Sequence, residues 1–485
     1  MNQKTEILLP YIRARLRVTP DLLREYTQKD GEPYRYREVF FRIKEYIDHF
    51  IAGDDENRFL IVPGLRGVGK TTILLQLYDY LLNQKKIDQN RILYLSSDEL
   101  NLFLDTGIYE AVHTFLEEVH RTSLVNLEEQ LFIFIDEAHY DPKWSETGKI
   151  VYDQTRKIFM IFTGSSALSM EMTVDAARRA TRRKVFPLGF SEYILLKYDI
   201  KPPEKMAKTL RELIWTGDDK SLENARQKEN EMQKNLVVLD RSPRHEWEDF
   251  LYCGGFPFGL KLDQTEIYEK IFDILDRIVQ KDVYSLKSFN TDTLSTISQV
   301  ITFLALQKPG GTSDAKLAHK LDVSPTIIRT ILTVLEKTHL IFSVKPYGGA
   351  GKTVRKPWKY YFLSPSLNTA VNFKLGRYRP DSREILGVLS ENLVGAYFFR
   401  LKETMNLPYG IFYDPAKGGV DFLLVDPLEN IIPVEVGIGR KDKGQILRAI
   451  RKYRSEYGMV ISNTTAKIEK EGDIIFIPLM TFSYL

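Results

Sequence analysis

The first residues with recognisable chemistry form a glycine-rich run, GLRGVGKT, from Gly64 to Thr71. Glycines let the main chain wrap around an anion, so that successive amide N–H groups point at phosphate. The lysine near the end of the run can reach the β- and γ-phosphates of a nucleotide, and the next hydroxyl can bind Mg²⁺. The spacing matches G-x-x-x-x-G-K-[ST] without a mismatch. We therefore predict a nucleotide-binding loop formed by Gly64, Leu65, Arg66, Gly67, Val68, Gly69, Lys70, Thr71 and Thr72.

Two carboxylates follow a second apolar run. The stretch LFIFI at 131–135 is followed directly by Asp136 and Glu137. Ligands of open parallel sheets bind at the carboxyl ends of the strands, which is where these acids would lie. We expect Asp136 to hold Mg²⁺ through water and Glu137 to orient and deprotonate the attacking water. Since neighbouring residues of a strand point to opposite sides, the two acids can take different roles.

Two further candidates lie downstream. Thr163 ends another apolar run, and beside the Asp136 strand it would hydrogen-bond the γ-phosphate or the lytic water. A Ser/Thr cluster after a strand is equally typical of a turn. A basic run either supplies an arginine finger to a neighbouring subunit or forms a solvated face, and Arg182 is its favoured member. An arginine that acts on a neighbouring subunit requires at least a dimer, so we expect a homo-oligomer.

The elements that must position these residues can be read from the apolar pattern. Over 37–200, short apolar runs alternate with amphipathic stretches, which is typical of a parallel sheet covered by helices. Strands are predicted near 58–63, 91–96, 131–135 and 158–163. The glycine-rich run then lies between a strand and a helix, the context that supports a phosphate-binding role. The predicted fold class is α/β, with the parallel sheet core of a P-loop NTPase.

Composition and charge narrow the class of protein. A chain of 485 residues exceeds the usual size of one domain, and 43% hydrophobic with 27% charged residues is typical of globular proteins. The net charge of +3 neither demands nor excludes a nucleic-acid partner. The apolar runs are far shorter than the ~18 residues of a membrane span. Without a recognisable secretory leader and with one cysteine, we expect a cytoplasmic protein with no membrane partner.

The segment 312–347 predicts a DNA-binding type of fold. A helix is followed by a short DVS turn, a second helix that begins at Ser324-Pro325, and then alternating apolar residues. This order favours a winged helix-turn-helix, with the basic stretch 348–359 at the tip of the wing. Winged helices also bind proteins, so both DNA and protein partners stay open. The candidate nucleic-acid contacts are Arg329, Lys352, Arg355, Lys356 and Lys359.

Several motifs together resemble a known family. GLRGVGKTT, FIDEAH, FTGSSAL, ATRRKVFPLGFSEY and CGGFP are similar to segments of prokaryotic, especially archaeal, AAA+-like ATPases of the ASCE group with a C-terminal nuclease-like domain. The resemblance covers nearly the whole chain and implies ATP and Mg²⁺ as ligands. The family's conserved arginine before its P-L-x-F-x-E segment falls on Arg182.

The same family implies a PD-(D/E)XK nuclease-like tail. SENLVGAYFFRLK, GVDFLLV and IPVEVGIG place Glu391, Asp421 and Glu435 at the acidic, metal-binding positions. The sequence departs from the pattern at Gly437, which stands where the motif has a lysine. Lys441 and Lys443 follow and could replace it from a loop or helix start. Two readings stay open, an active metal-dependent nuclease and a degenerate fold used for binding or scaffolding, and the second is favoured.

These observations predict four domains. They are a P-loop ATPase domain with an N-terminal helical extension at 1–200, a helical lid or linker at 201–285, a winged-helix domain at 286–375 and a small α/β nuclease-like domain at 376–485. The leading hypothesis is magnesium-dependent ATP hydrolysis that drives a switch or motor on DNA. The alternatives are a signalling or assembly ATPase whose C-terminal domains bind proteins, and an ATP-regulated, metal-dependent DNA nuclease.

Overall fold

The computed structural model describes residues 3–29, 31–164, 172–283, 291–307, 311–349, 356–380, 382–405, 408–437 and 443–485. The chain divides into two compact units, Met1–Phe186 and Pro187–Leu485. Within the described ranges, none of the helices combines the length and the apolar composition that a membrane crossing requires. The finer division into four domains stays a prediction.

The first unit is built on a parallel sheet. A two-stranded ribbon, β1 (Gln28–Lys29) and β2 (Glu32–Pro33), precedes the main strands. The five-stranded sheet has the order β4-β5-β6-β3-β7, and all of its pairs are parallel. The four predicted strands are confirmed. The main strands are β3 (Phe59–Pro63), β4 (Ile92–Ser96), β5 (Leu131–Asp136), β6 (Ile158–Gly164) and β7 (Thr181–Arg182).

Helices surround this sheet, and β3, β5 and β6 are buried along their whole length. Gly148 lets one helix approach the sheet closely, because a Cβ at this residue would lie 2.3 Å from Cζ of Phe59. The helices of this unit are α1 (Gln3–Thr27), α2 (Glu38–Ile51), α3 (Lys70–Asp79), α4 (Ser97–Leu104), α5 (Ile108–Thr114), α6 (Trp144–Gln154) and α7 (Val174–Ala177).

The second unit contains a mixed sheet of eight strands in the order β14-β15-β13-β12-β11-β10-β8-β9. Its strands are β8 (Ile341–Pro346), β9 (Lys359–Phe362), β10 (Gly410–Tyr413), β11 (Phe422–Val425), β12 (Ile431–Gly437), β13 (Gly458–Ser462), β14 (Glu469–Glu471) and β15 (Ile474–Pro478). The strand pairs β12–β13, β13–β15 and β8–β10 are parallel, and the others are antiparallel. One sheet therefore joins the predicted hairpin after the two helices to the predicted α/β tail.

The helices of the second unit flank this sheet. They are α8 (Phe190–Tyr198), α9 (Met206–Thr216), α10 (Asp219–Leu236), α11 (Pro243–Cys253), α12 (Gln264–Arg277), α13 (Thr291–Leu306), α14 (Asp314–Leu321), α15 (Pro325–Lys337), α16 (Pro365–Lys374), α17 (Arg383–Met405), α18 (Lys443–Tyr453) and α19 (Leu479–Phe482).

The segment predicted as a helical lid or linker at 201–285 is partly buried. Glu229 of α10 is 1% exposed, and its carboxylate accepts hydrogen bonds from the Thr481 hydroxyl at 2.5 Å and the Ile468 amide at 2.7 Å. This face of α10 therefore packs against the end of the chain. Burial raises the pKa of Glu229.

The helix-turn-helix order predicted over 312–347 is present. The hydroxyl of Ser313 accepts from the Lys316 amide at 3.1 Å and caps α14, and the Ser324 hydroxyl accepts from the Ile327 amide at 3.3 Å and caps α15. Asp322, with φ 53°, makes the turn between the two helices. Strands β8 and β9 follow as an antiparallel pair. The assignment of these elements to the winged-helix class stays a prediction.

Candidate functional site

The glycine-rich loop follows β3 and leads into α3. The Gly64 amide donates to the carbonyl of Gly164 at 3.2 Å, which ties the start of the loop to the end of β6. A Cβ on Gly64 would lie 2.5 Å from the carbonyl oxygen of Val185, so a side chain has no room there. Gly67 and Gly69 have φ values of 80° and 91°, in the left-handed region that favours glycine. The loop thus needs glycine at three of its positions for steric reasons.

Lys70 closes the loop from inside. Its ammonium donates to the carbonyls of Gly64 at 2.9 Å and Leu65 at 3.1 Å, and the residue is 6% exposed. Leu65 and Val68 are buried, so these two loop residues can offer a ligand only their main chain. A concave main chain with an ammonium at its centre and a helix N-terminus behind it is suited to a phosphate group.

Asp136 is the centre of a hydrogen-bonded group at the end of β5. Its carboxylate accepts from the Thr71 hydroxyl at 2.6 Å, from the Tyr94 hydroxyl at 3.3 Å and from the hydroxyl of Thr163. Burial, together with the neighbouring charge of Glu137, raises the pKa of Asp136, while the bonds from Thr163 and Thr71 lower it. The adjacent hydroxyl and carboxylate oxygens of Thr71 and Asp136 fit the oxygen ligands that Mg²⁺ prefers.

The main chain turns at Glu137, directly after the last residue of β5, Asp136. Strand β5 ends at Asp136, and Glu137 has a φ of 49°, so alternation along a strand was the wrong reason for their different directions. The Glu137 amide donates to the Thr163 hydroxyl at 3.2 Å. Its carboxylate lies 3.8 Å from the Arg66 guanidinium and 3.2 Å from Nδ1 of His139. The carboxylate of the predicted base therefore lies between a guanidinium and an imidazole.

The structure brings together Lys70, Thr71, Asp136, Glu137 and Thr163 as predicted neighbours at one sheet edge. Thr72 lies one residue further into α3. The catalytic and nucleotide-binding roles of these residues stay predictions. Thr163 is on β6, which lies between β3 and β5. It is therefore placed between the glycine-rich loop that follows β3 and the acids at the end of β5.

Within one chain, Arg182 is distant from this group of residues. It is an exposed residue of the edge strand β7 and pairs with Ile61, whereas Val185 pairs with Gly64 at the start of the loop. Three residues along a strand correspond to about 10 Å, so the Arg182 backbone lies that far behind the loop. Its prediction as an arginine finger for a neighbouring subunit is not tested by this position.

Sequence reasoning missed several residues that support the site. The Arg37 guanidinium donates to the carbonyls of Val68 at 2.7 Å and Phe186 at 2.9 Å, which fixes the loop from below. Tyr94 belongs to β4 and reaches Asp136 on the neighbouring strand. A tyrosine near the carboxyl end of a predicted strand was the available signal for Tyr94, whereas Arg37 has no local pattern that reveals its target.

The second group of acids lies in the other unit. Glu391 is on α17, Asp421 directly precedes β11 and Glu435 is on β12. The ammonium of Lys359, the first residue of β9, lies 2.9 Å from Oε1 of Glu391 and 3.9 Å from Oδ1 of Asp421. The Tyr361 hydroxyl also donates to Oε1 of Glu391, at 2.6 Å. Two of the three acids, Glu391 and Asp421, thus lie beside a lysine from another strand.

Other bonds hold the remaining carboxylates. The Val436 amide donates to Oδ2 of Asp421 at 2.9 Å, and the Gln445 side-chain amide donates to Oε2 of Glu435 at 2.8 Å. Burial and the charges of Glu391 and Glu435 raise the pKa of Asp421 well above its usual range. Within the ranges that the structure describes, no group of three or more His, Cys, Asp or Glu is arranged to hold a metal ion.

Lys359 corrects one prediction. It was expected on the wing in contact with nucleic acid, but it is 9% exposed and its ammonium is bound to Glu391. Burial lowers the pKa of Lys359, but the charges of Glu391 and Asp421 outweigh it and raise the pKa overall. Of the lysines proposed to replace the motif lysine, Lys443 pairs with Glu471, and Lys441 lies outside the described residues.

Of the other candidate nucleic-acid residues, Arg329 and Lys356 lie in the described ranges. Nε of Arg329 lies 3.0 Å from Oδ2 of Asp314, although the arginine side chain is 77% exposed. Lys356 is exposed, and Lys352 and Arg355 fall outside the described residues. Their contacts with nucleic acid stay predictions.

Comparison with known proteins adds family relationships. Residues 56–194 match a family model described as an AAA domain, and residues 244–377 match one described as a domain of unknown function, DUF8612. The chain is 33% identical over 475 residues to Uncharacterized protein MJ1637 of Methanocaldococcus jannaschii, covering 98% of this chain and 93% of that one. It is 24% identical over 330 residues to an uncharacterized protein of Haemophilus influenzae, covering 66% and 70%. The solved Walker-type ATPase paby2304 of Pyrococcus abyssi aligns with 71% of this chain and 97% of its own, at 13% identity and a TM-score of 0.40.

Proposed function

Because the chain belongs to the family of MJ1637 of Methanocaldococcus jannaschii and carries an AAA domain at 56–194, we propose that it binds ATP with Mg²⁺ and hydrolyses it. The observation that carries this proposal is the contact of 2.6 Å between the Thr71 hydroxyl and the Asp136 carboxylate, directly behind the glycine-rich loop. This contact joins the two halves of a nucleotide site that lie 65 residues apart in the chain.

The loop supplies the phosphate contacts. Lys70 now donates to the carbonyls of Gly64 and Leu65, and a phosphate group gives its ammonium an anionic acceptor instead. The amides from Gly67 to Lys70, at the start of α3, add donors and the positive end of the helix dipole. Thr71 and Asp136 would hold Mg²⁺, the carboxylate through water, and the ion neutralises charge that develops on the phosphates.

Glu137 is the proposed general base. Its carboxylate lies 3.8 Å from the Arg66 guanidinium and 3.2 Å from Nδ1 of His139, and its amide donates to the Thr163 hydroxyl. This arrangement suits a residue that must accept a proton from water at one defined place. Thr163 touches both acids of the site and is the proposed second contact of the lytic water or the γ-phosphate.

Two variants test this function. Glu137→Gln keeps the size of the base but removes its proton acceptor, so ATP binding should persist while turnover falls by about 100-fold or more. Lys70→Ala should weaken binding as well, because it removes a phosphate contact. The exposed Glu146 of α6 gives the matched control Glu146→Gln, which should turn over at the normal rate. Normal turnover by Glu137→Gln would refute the assigned base, and no affinity for ATP in magnesium buffer would refute the function.

ATP hydrolysis is further proposed to drive a switch or motor on DNA. The support is the order of α14, α15 and the β8–β9 pair, together with the exposed Lys356, three residues before β9. An isolated antiparallel backbone bridge between Thr312 and Trp358 lies just before β9. Stimulation of ATP turnover by duplex or single-stranded DNA is the expected result.

One observation favours the rival proposal of an assembly or signalling ATPase that binds proteins. On α15, which would be the DNA-reading helix, Arg329 pairs with Asp314 and Ile327 is 37% exposed. An arginine that is paired with a carboxylate, next to an exposed apolar side chain, is better suited to binding a protein than to reading bases in the major groove of DNA. Turnover indifferent to both forms of DNA, and unchanged in Arg329→Ala, would support this rival.

A further inference from the structure

The nuclease-like tail lacks its motif lysine but contains another lysine among its acids. Gly437 occupies the motif position at the end of β12. Lys359 reaches the same acids from β9, an edge strand of the sheet that is four strands away from β12 in the sheet order. The two strands belong to segments predicted as separate domains, so the meeting of the lysine with the acids is a product of the fold.

We propose that the ammonium of Lys359 takes the place of a divalent cation between Glu391 and Asp421, which makes the cluster a metal-independent charged anchor. Its distances of 2.9 Å and 3.9 Å to the two carboxylates place one positive charge where both acids face. The residues present therefore do not fit a metal centre. Lys359 links strand β9 to α17 and to the start of β11.

The remaining bonds support this assignment. Oε1 of Glu391 is shared by Lys359 and the Tyr361 hydroxyl, and Oδ2 of Asp421 is held by the Val436 amide. A metal ion here would have to displace Lys359, which is 9% exposed. The displaced ammonium would then lie in a poorly solvated space without its carboxylate partner, which is costly. Two cations side by side repel each other strongly in such a site.

The third acid is fixed in another way. Oε2 of Glu435 accepts from the Gln445 side chain, which also donates to the carbonyl of Gly419 at 2.8 Å. Gln445 thereby joins α18 to the loop before β11, next to Asp421. Each of the three carboxylates thus has a protein donor or an adjacent ammonium, a pattern expected of an anchor.

Manganese binding to the full-length chain tests this inference independently of ATP hydrolysis. Asp136→Asn serves as the parent in every sample, because it removes the carboxylate proposed to hold Mg²⁺ at the nucleotide site. Electron paramagnetic resonance of added Mn²⁺ should show the same binding by the parent and by the parent carrying Glu435→Gln. Adding Lys359→Met should create one new Mn²⁺ site, and Glu435→Gln on top of Lys359→Met should remove it.

Thermal unfolding gives a second readout. Mn²⁺ should raise the Tm of the Lys359→Met protein and leave that of the parent unchanged. A Mn²⁺ site in the parent that disappears with Glu435→Gln would overturn the proposal, and so would a folded Lys359→Met protein that gains no site. Should Lys359→Met fail to fold, the comparison of the parent with Glu435→Gln decides alone. Lys359→Arg keeps the cation and should behave as the parent.

Discussion

The two acidic groups of this protein differ in what faces their carboxylates. In the first unit, hydroxyl groups of Thr71, Tyr94 and Thr163 surround Asp136. In the second unit, the ammonium of Lys359 lies between Glu391 and Asp421. Hydroxyls are neutral and can also bind a metal ion, whereas an ammonium competes with one. The first group is suited to receiving a cation, and the second already contains one.

The difference shows why acidic positions alone do not identify a metal site. Both groups are buried and both include an acid whose pKa is raised. The raised pKa therefore does not separate the proposed catalytic group from the proposed structural one. The chemical type of the neighbouring donor separates them, and that type depends on which distant strand the fold brings near.

The largest expected effect is on stability, at the lysine of the second group. Lys359→Met leaves the Glu391 carboxylate buried without its cation, so the free energy of unfolding should fall by about 3–5 kcal/mol. Urea unfolding measures this loss. The exposed Lys356 of the same segment gives the control Lys356→Met, which should change stability little. Equal stability of the two variants would show that Lys359 is not an anchor.

The next effect concerns activity, at the acid of the first group. Asp136→Asn keeps an acceptor for Thr71 but removes the charge that attracts Mg²⁺, so ATP turnover should fall by about 100-fold or more at saturating ATP. The exposed Asp175 of α7 supplies the control Asp175→Asn, with turnover at the normal rate. A Mg²⁺-dependent rate close to the original would remove the proposed distinction between the two groups.

Much of the first group could be predicted from sequence because its signals are local. The loop residues are contiguous, and the two acids follow an uninterrupted apolar run that must be a buried strand. The conformation of Glu137 was not predictable, since a φ of 49° at a glutamate follows from the packing around it. Arg66 and His139 belong to recognisable motifs, but a motif does not indicate towards which residue their side chains point.

The second group shows the opposite case. Its three acids were found from motifs, but the lysine that faces them lies 32 residues before Glu391 and entered the prediction as part of a wing. Local patterns carry no information on strand order, and strand order places Lys359 beside the acids. Strand β14 was missed for a simpler reason, because its residues Glu469–Glu471 are all polar and give no apolar alternation.

A smaller effect is expected in the pH dependence of the free energy of unfolding, through Asp421 of the second group. The folded pKa of Asp421 is raised, so the folded protein keeps this proton when the unfolded chain has lost it. Stability should therefore fall as pH rises above about 4, the ordinary pKa of aspartate, by at most about 1.4 kcal/mol per pH unit from this group. Asp421→Asn removes this contribution and should flatten the slope between pH 4 and the folded pKa. Urea unfolding at several pH values checks it, and an unchanged slope would contradict the assignment.

The smallest effect tests the positioning of Glu137, the proposed base of the first group. Arg66 lies 3.8 Å from Glu137, a separation at which an ion pair contributes up to about 1 kcal/mol, so Arg66→Ala should lower kcat by no more than about 5-fold. His139→Ala should lower it further, because Nδ1 of His139 lies closer, at 3.2 Å. Arg156→Ala is the control, since that side chain is 83% exposed and pairs with Asp55. If both site variants kept the normal kcat and the normal pH profile of turnover, Glu137 would be held by its backbone turn alone, and the comparison between the two acidic groups would reduce to the donors around Asp136.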